Sequence, residues 1–297
     1  MELHKLGTEQ TNAFTDELDT RTAAEIAEII NAQDALVAPA VAAALPEIAR
    51  AVDLIARALS RGGRLIYVGA GTSGRIAALD AAECPPTFNT SPQTVQYVIA
   101  GGEKALGRAV EVYEDLRMLG ERDLRKKKPT NRDVVVGVSA SGRTPYTLAA
   151  IEYGHRCGAA TVAVTNNRGS LLEKAADIAI VAEVGPEVVA GSTRMKAGTA
   201  QKLILNTLST AAMARMGYVY GNLMVNVHVR NRKLRQRALA ILECAAGVEH
   251  SAAEKALKAA GNSVPVALVM LKTGLSRREA QRRLKAACGN VRRAIMG

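Results

Sequence analysis

The sequence predicts an α/β fold: a doubly wound, five-stranded parallel sheet with helices on both faces, preceded by N-terminal helices and followed by a small helical bundle. Three observations carry this expectation. The available core is aliphatic, with no Trp and only two Phe among the 48% of residues that are hydrophobic, which suits buried parallel strands under Ala-rich helices. Short β-branched runs alternate with helical periodicities through the middle of the chain, as in βαβ units. Gly- and Ser-rich segments follow the first and third of those runs, where an open α/β sheet holds its ligands.

In chain order, Thr22-Ala23-Ala24-Glu25 has the form of a capping box ahead of an apolar-periodic run. A longer Ala/Leu/Ile pattern follows over 45–59 and stops at Arg61-Gly62-Gly63. Leu65–Val68 then reads as a buried strand, Ser73–Ala82 as a helix, Val95–Ala100 as a strand and Glu103–Leu119 as a helix. Val134–Val138 is the third strand, followed by a helix over Pro145–Arg156, and Thr161–Thr165 and Ile178–Val181 complete the set. Long helices are expected over Lys196–Met216 and Leu223–Ala245. From Val248 the texture changes, with Ser251-Ala252-Ala253-Glu254 and Ser276-Arg277-Arg278-Glu279 as capping boxes. Three short helices are expected there. The domain division is therefore 1–247 and 248–297.

Composition excludes several classes of function. No apolar run approaches the roughly 18–20 residues that span a bilayer, and the first ten residues lack a basic segment leading into an apolar one. No membrane partner is expected. Cys84, Cys157, Cys244 and Cys288 stand far apart, so reduced thiols in a cytoplasmic protein are expected rather than a disulfide framework or zinc site. His4, His155, His228 and His250 are equally scattered, and no metal is expected. A net charge of +11 concentrates in Arg122–Lys128, Arg230–Arg237 and Arg277–Arg283. None of these runs carries a readout motif and few aromatics are available to stack on bases. An anionic substrate or a solvated basic surface explains the charge without nucleic acid.

Gly69-Ala70-Gly71-Thr72-Ser73-Gly74 follows the first strand and opens a helix, whose free amide groups attract an anion. The spelling also satisfies G-x-G-x-x-G, but the next strand ends in Ala100-Gly101-Gly102 without the acidic residue that binds a ribose. A nicotinamide cofactor is not expected. The third strand ends in Ser139-Ala140-Ser141-Gly142-Arg143-Thr144-Pro145. Its hydroxyls can surround a phosphate, or they can merely cap the helix and fill a turn. In the strand order 2-1-3-4-5, loops one and three are neighbours and a ligand there touches both.

These residues resemble a known family. Val138–Tyr146 resembles the phosphosugar loop of sugar isomerase (SIS) domains. Gly69–Gly74 together with Asp80–Thr87, and Gly185–Thr199 as a long signature, is similar to one branch of that superfamily. That branch contains the bacterial N-acetylmuramic acid 6-phosphate etherases and the animal glucokinase regulatory proteins. Leu6-Gly7-Thr8-Glu9 with Asn12, and Asn222-Leu223-Met224-Val225, extend the likeness over nearly the whole chain. A single SIS unit favours the etherases, since the regulatory proteins carry two. Asn226 stands where etherases usually have Asp, and the tail is similar to a ubiquitin-associated bundle.

The resemblance implies a cofactor-free removal of D-lactate from a phosphorylated amino sugar in peptidoglycan recycling, by elimination and then water addition, in a homodimer. It implies Glu83 as the acid and Glu114 as the base; by helical spacing, Glu111 lies one turn away and is the alternative base. It implies substrate binding by Gly71, Thr72, Ser73, Ser139, Ser141, Gly142 and Thr144. Glu187, Ser192, Thr193, Arg194 and Lys196 would complete the pocket, and Arg194 or Lys196 would neutralise the lactyl carboxylate or the phosphate. The alternative is a sugar-phosphate regulator that keeps the loops and does no chemistry. Retention of both Glu83 and Glu114 favours the enzyme.

Overall fold

The structure, a computed structural model, describes residues 6–227, 229 and 231–297. His4, His228 and Arg230, which figure in the histidine and charge patterns above, lie outside the described residues. The chain divides into two compact units. One holds the chain up to Ala81 together with Gln93–Ser209, and the other Ala82–Pro92 with Thr210–Gly297.

The first unit opens with three 3-10 turns, Gly7–Glu9, Ala13–Thr15 and Leu18–Thr20. Helix α1 (Ala23–Asp34) starts at the Thr22 capping box, in which the Thr22 hydroxyl accepts from the Glu25 amide while the Glu25 carboxylate accepts from the Thr22 amide. After α2 (Val37–Ala42), helix α3 (Leu45–Ser60) buries Ile48, Ala51, Val52, Ile55 and Leu59, one stripe at helical spacing. Then come β1 (Leu65–Gly69), α4 (Gly71–Phe88), β2 (Val95–Ile99), α5 (Lys104–Gly107), α6 (Arg117–Arg125) and β3 (Val134–Val138). Helix α7 (Pro145–Arg156), β4 (Ala160–Thr165), α8 (Leu171–Ala175), β5 (Ile178–Val181) and α9 (Lys196–Met216) complete the alternation.

The sheet is all parallel in the order β2-β1-β3-β4-β5. Every residue of β1 and of β3 is buried, the signature of a sheet covered on both faces. In the register of β1 and β3, Gly69 lies opposite Val138. The two loops that leave these residues therefore start side by side, and the chain turns to opposite directions across the sheet at that point.

Several expected elements differ. Residues 103–119 do not form one helix. They make the single turn α5, a 3-10 turn at Glu111–Tyr113, and then α6. Gly107 and the β-branched Val110 and Val112 interrupt the periodicity, and Glu114 becomes the residue that caps the 3-10 turn. Helix α4 runs six residues beyond Ala82, through Pro85 and Pro86, and stops where Asn89 takes a left-handed conformation at φ 56°. Helix α8 was not expected. Ser170 starts it by accepting from the Glu173 amide.

In the second unit, α10 begins at Arg232 rather than Leu223, because the Asn231 side chain accepts from the Leu234 amide and fixes the start there. Upstream, Tyr220 and Leu223 form an isolated antiparallel bridge instead. Helix α10 (Arg232–Ala246) ends on Gly247 at φ 71°. The tail has four helices, not three: α11 (His250–Ala259), α12 (Val264–Thr273), α13 (Arg277–Ala286) and α14 (Val291–Met296). The Ser276 box forms, whereas Ser251 falls inside the first turn of a helix that begins one residue earlier. Leu242, Leu257, Val264, Leu268, Val269 and Val291 are central to this unit's core. Among the described residues, no single helix is long and apolar enough to cross a membrane.

Candidate active site

A cavity of about 300 Å³ lies where β1 and β3 end. All of its lining comes from the first unit. Gly71, Thr72 and Ser73 line it from the start of α4, and Ser139, Ser141 and Thr144 from the loop before α7. Arg75, Glu111, Glu114, Glu9 and Thr193 complete the polar wall. A larger hollow of about 790 Å³ beside edge strand β2 is lined by Tyr97, Tyr113, Arg122, Lys126 and Lys127 among others. It contains neither of the hydroxyl-bearing strand-end loops, and Asp123 already engages Arg122 and Lys126 there.

The phosphate-compatible wall is made of neutral donors. First-turn amides of α4 have no acceptor within the helix, and the helix dipole adds a partial positive charge at the same place. In the second loop, the Ser139 hydroxyl lies 2.8 Å from that of Thr144 and accepts from the Gly142 amide at 3.2 Å. The Ser141 hydroxyl accepts from the Arg143 amide at 3.2 Å. A hydroxyl that accepts from the backbone still has its own proton to give. One proton of the Ser139–Thr144 pair is taken up between them, and the others are compatible with binding an anion. Gly142 itself stands behind the wall. Its φ is 64°, and a Cβ there would lie 2.3 Å from the Ser170 hydroxyl, so the loop closes only around glycine.

The opposite wall is acidic. Glu114 is half-buried, and its backbone carbonyl accepts from the Tyr146 amide at 3.0 Å. That bond fixes the glutamate to the start of α7, next to the phosphate loop. Burial pushes its carboxyl above the ordinary range, Glu111 and Asp115 push in the same direction, and Arg75 opposes them. Gly71, at φ 52°, makes room for it: a Cβ there would lie 2.9 Å from Glu114 Oε1. The glycine loop and the carboxylate are thus built around each other. Glu111 is exposed and lines the same cavity from the 3-10 turn.

The signature after β5 is engaged mostly inside the fold. Glu187 is fully buried, and its two oxygens accept from the amides of Lys196 and Ala197, each at 2.9 Å, capping α9. Lys196 is 1% exposed and donates to Gln33 Oε1 at 2.8 Å. Burial lowers its pKa, against the attraction of Glu187 and Asp34. Ser192 is half-buried and Arg194 exposed, and neither lines the cavity, whereas Thr193 does. Glu83 is exposed on the part of α4 that belongs to the second unit.

Two charged lining side chains had no role from the sequence. Arg75 donates to the carbonyls of Ala105 and Arg108, at 2.8 and 2.7 Å, and so shapes the chain that leads to Glu111. Glu9 arrives from the N-terminal turn. Arg75 sits within the glycine-loop helix and Glu9 within the matched Leu6–Glu9 segment, and those positions were the only signal.

Comparison with known proteins agrees with the geometry. A family model described as the glucokinase regulatory protein N-terminal SIS domain matches residues 47–155, and one for the SIS domain matches 121–211. The chain is 54% identical over 275 residues to the N-acetylmuramic acid 6-phosphate etherase of Symbiobacterium thermophilum, covering 93% of this chain and 91% of that one. It is 50% identical over 291 residues to the protein of the same name from Aeromonas hydrophila, covering 98% of both. Among solved structures, a phosphoheptose isomerase from Neisseria gonorrhoeae shares the fold at a TM-score of 0.50 and 19% identity, over 66% of this chain and 99% of that one. Near-complete coverage at such identity, on an SIS fold with paired strand-end loops, places this chain in the N-acetylmuramic acid 6-phosphate etherase family.

Proposed function

We propose that the chain cleaves the D-lactyl ether of N-acetylmuramic acid 6-phosphate, giving N-acetylglucosamine 6-phosphate and D-lactate, as a step of peptidoglycan recycling. The observation that carries the reading is the pairing of a neutral, hydroxyl-rich anion cradle with a carboxylate of raised basicity in one cavity. The cradle takes the phosphate through Ser73, Ser139, Ser141 and Thr144. Glu114 removes the C2 proton of the ring-opened aldehyde, where the neighbouring carbonyl makes that proton acidic. The C3–oxygen bond then breaks, and an acid gives its proton to the departing lactate. The resemblance gives that role to Glu83, which does not line this cavity. Water then adds across the resulting double bond. A carboxylate with a raised pKa is the better base at neutral pH.

Glu187 and Lys196 act through the loop they brace, and Arg194, exposed in this chain, is assigned to an anionic group of the substrate in a homodimer. No step needs an organic cofactor. Isotope exchange tests the division of labour. Glu83→Ala should still exchange the substrate C2 proton with deuterated water while releasing little lactate. Glu114→Gln should lose both, because an amide cannot take the proton. Each loss should be about 10²–10⁴-fold or more. Exchange lost only in the Glu83 variant would reverse the roles, and full turnover in the Glu114 variant would move the base to Glu111.

A further inference from the structure

Glu9 is the carboxylate in the cavity to which the proposed chemistry gives neither the role of base nor that of alternative base. It does not share a segment with Glu111 and Glu114, and its place is fixed by a separate set of contacts. Leu6 is fully buried, and the Glu9 amide donates to the Leu6 carbonyl at 3.0 Å, closing the Gly7–Glu9 turn. Thr8, 1% exposed, is clasped on both sides by the Asn167 amide: its backbone N–H donates to Asn167 Oδ1 at 3.5 Å, and Asn167 Nδ2 donates to its hydroxyl at 3.0 Å. The same Nδ2 donates to the carbonyl of Ala140 at 2.9 Å. Ala140 lies between Ser139 and Ser141, so one buried side chain, 3% exposed, ties the N-terminal turn to the phosphate loop. Farther along, Asn12 Nδ2 donates to Gln33 Oε1 and to the Pro186 carbonyl, at 2.9 and 3.2 Å, which holds the other end of the arm.

These bonds hold the residue before Glu9 in register with the anion cradle. Gly191 lies close by, since a Cβ there would be in van der Waals contact with Glu9 Oε2 at 3.4 Å. Among the described residues, no ion-pair partner of Glu9 is found. A carboxylate held at the wall of a cavity, beside two others, is an acceptor that a ligand's donors can reach by displacing water. A phosphate monoester is mostly a dianion at neutral pH and offers almost none, and the lactyl carboxylate offers none either. Sugar hydroxyls and the amide N–H do.

We propose that Glu9 is a substrate-contacting residue, accepting hydrogen bonds from O–H or N–H donors of the sugar chain, with Asn167 as the positioning residue that registers it to the phosphate loop. Glu9 thereby selects a polyhydroxylated phosphate ester over phosphate alone. The role rests on the reading of the cavity as a phosphosugar site, but it concerns binding and is separable from turnover.

The test is equilibrium binding of two probes, N-acetylglucosamine 6-phosphate and inorganic phosphate, to the full-length protein. Glu9→Ala should weaken the sugar phosphate about 10–100-fold, the loss expected for a hydrogen bond to a charged group, and leave inorganic phosphate unchanged. Glu9→Gln keeps one acceptor oxygen and should fall between the two. Asn167→Ala, which also frees the Ala140 carbonyl of the phosphate loop, should lose more affinity for the sugar phosphate than for inorganic phosphate, with the thermal midpoint recorded for each variant. Unchanged affinity for the sugar phosphate in Glu9→Ala, or an equal loss for both probes, overturns the proposal. Wild-type protein that binds the sugar phosphate but releases no lactate would instead overturn the etherase reading and leave the Glu9 comparison intact.

Discussion

The carboxyl of Glu114 gathers the chemistry of the site at the level of single residues. Burial and two neighbouring acids raise its pKa, and Arg75 alone lowers it. A base of this kind is active when ionised, so the acid limb of kcat/KM should lie above the ordinary glutamate value of about 4.3. Activity is lost as the pH falls through that raised value. Replacing Glu111 by Gln removes one of the like charges, and the limb should move to lower pH, as a kcat/KM profile would record. A limb that stays in place would mean that Glu111 does not act on the base. Glu114 was legible in the sequence only through the resemblance, because its segment read as a solvated helical face. Glu9 and Arg75 were not assigned, since their place in the cavity depends on contacts such as Thr8 with Asn167, 159 positions apart. No local pattern encodes such a pair.

Elements were legible where a short apolar run met clear punctuation. Val134–Val138, Pro145–Arg156, Ile178–Val181 and Lys196–Met216 coincide with the elements observed, and the strand order placed the two loops together as expected. Failures came where side-chain bonds override periodicity: the Asn231 cap moved the start of α10, and Glu111–Tyr113 broke an expected helix. The start of α9 is the element with most at stake, because its cap is a buried charge. Glu187 satisfies two amides of the first turn and sits on the positive end of the helix dipole. Glu187→Ala leaves both amides without that acceptor and should destabilise the protein by about 1.5–3 kcal/mol, measured by urea unfolding. A variant as stable as the parent would show that the capping bonds contribute nothing net.

For the whole molecule, the excess charge and the cavity belong to different units. The second unit carries 16 of the 39 lysines and arginines but only 5 of the 28 acidic residues. The net charge of +11 therefore arises there, and the first unit, which lines the cavity, is balanced. The cavity itself has Arg75 against Glu9, Glu111 and Glu114. None of the cavity's lining comes from the second unit, so of the two explanations that the composition allowed, the solvated basic surface fits the excess. Phosphate recognition by neutral donors beside carboxylates is the central claim, and lactate release measures it most directly. The purified protein should release D-lactate from N-acetylmuramic acid 6-phosphate, and release from unphosphorylated N-acetylmuramic acid should be lower by about 10-fold or more, the loss of at least one charge-assisted hydrogen bond. Equal release from both sugars, or none from the phosphorylated one, would contradict it.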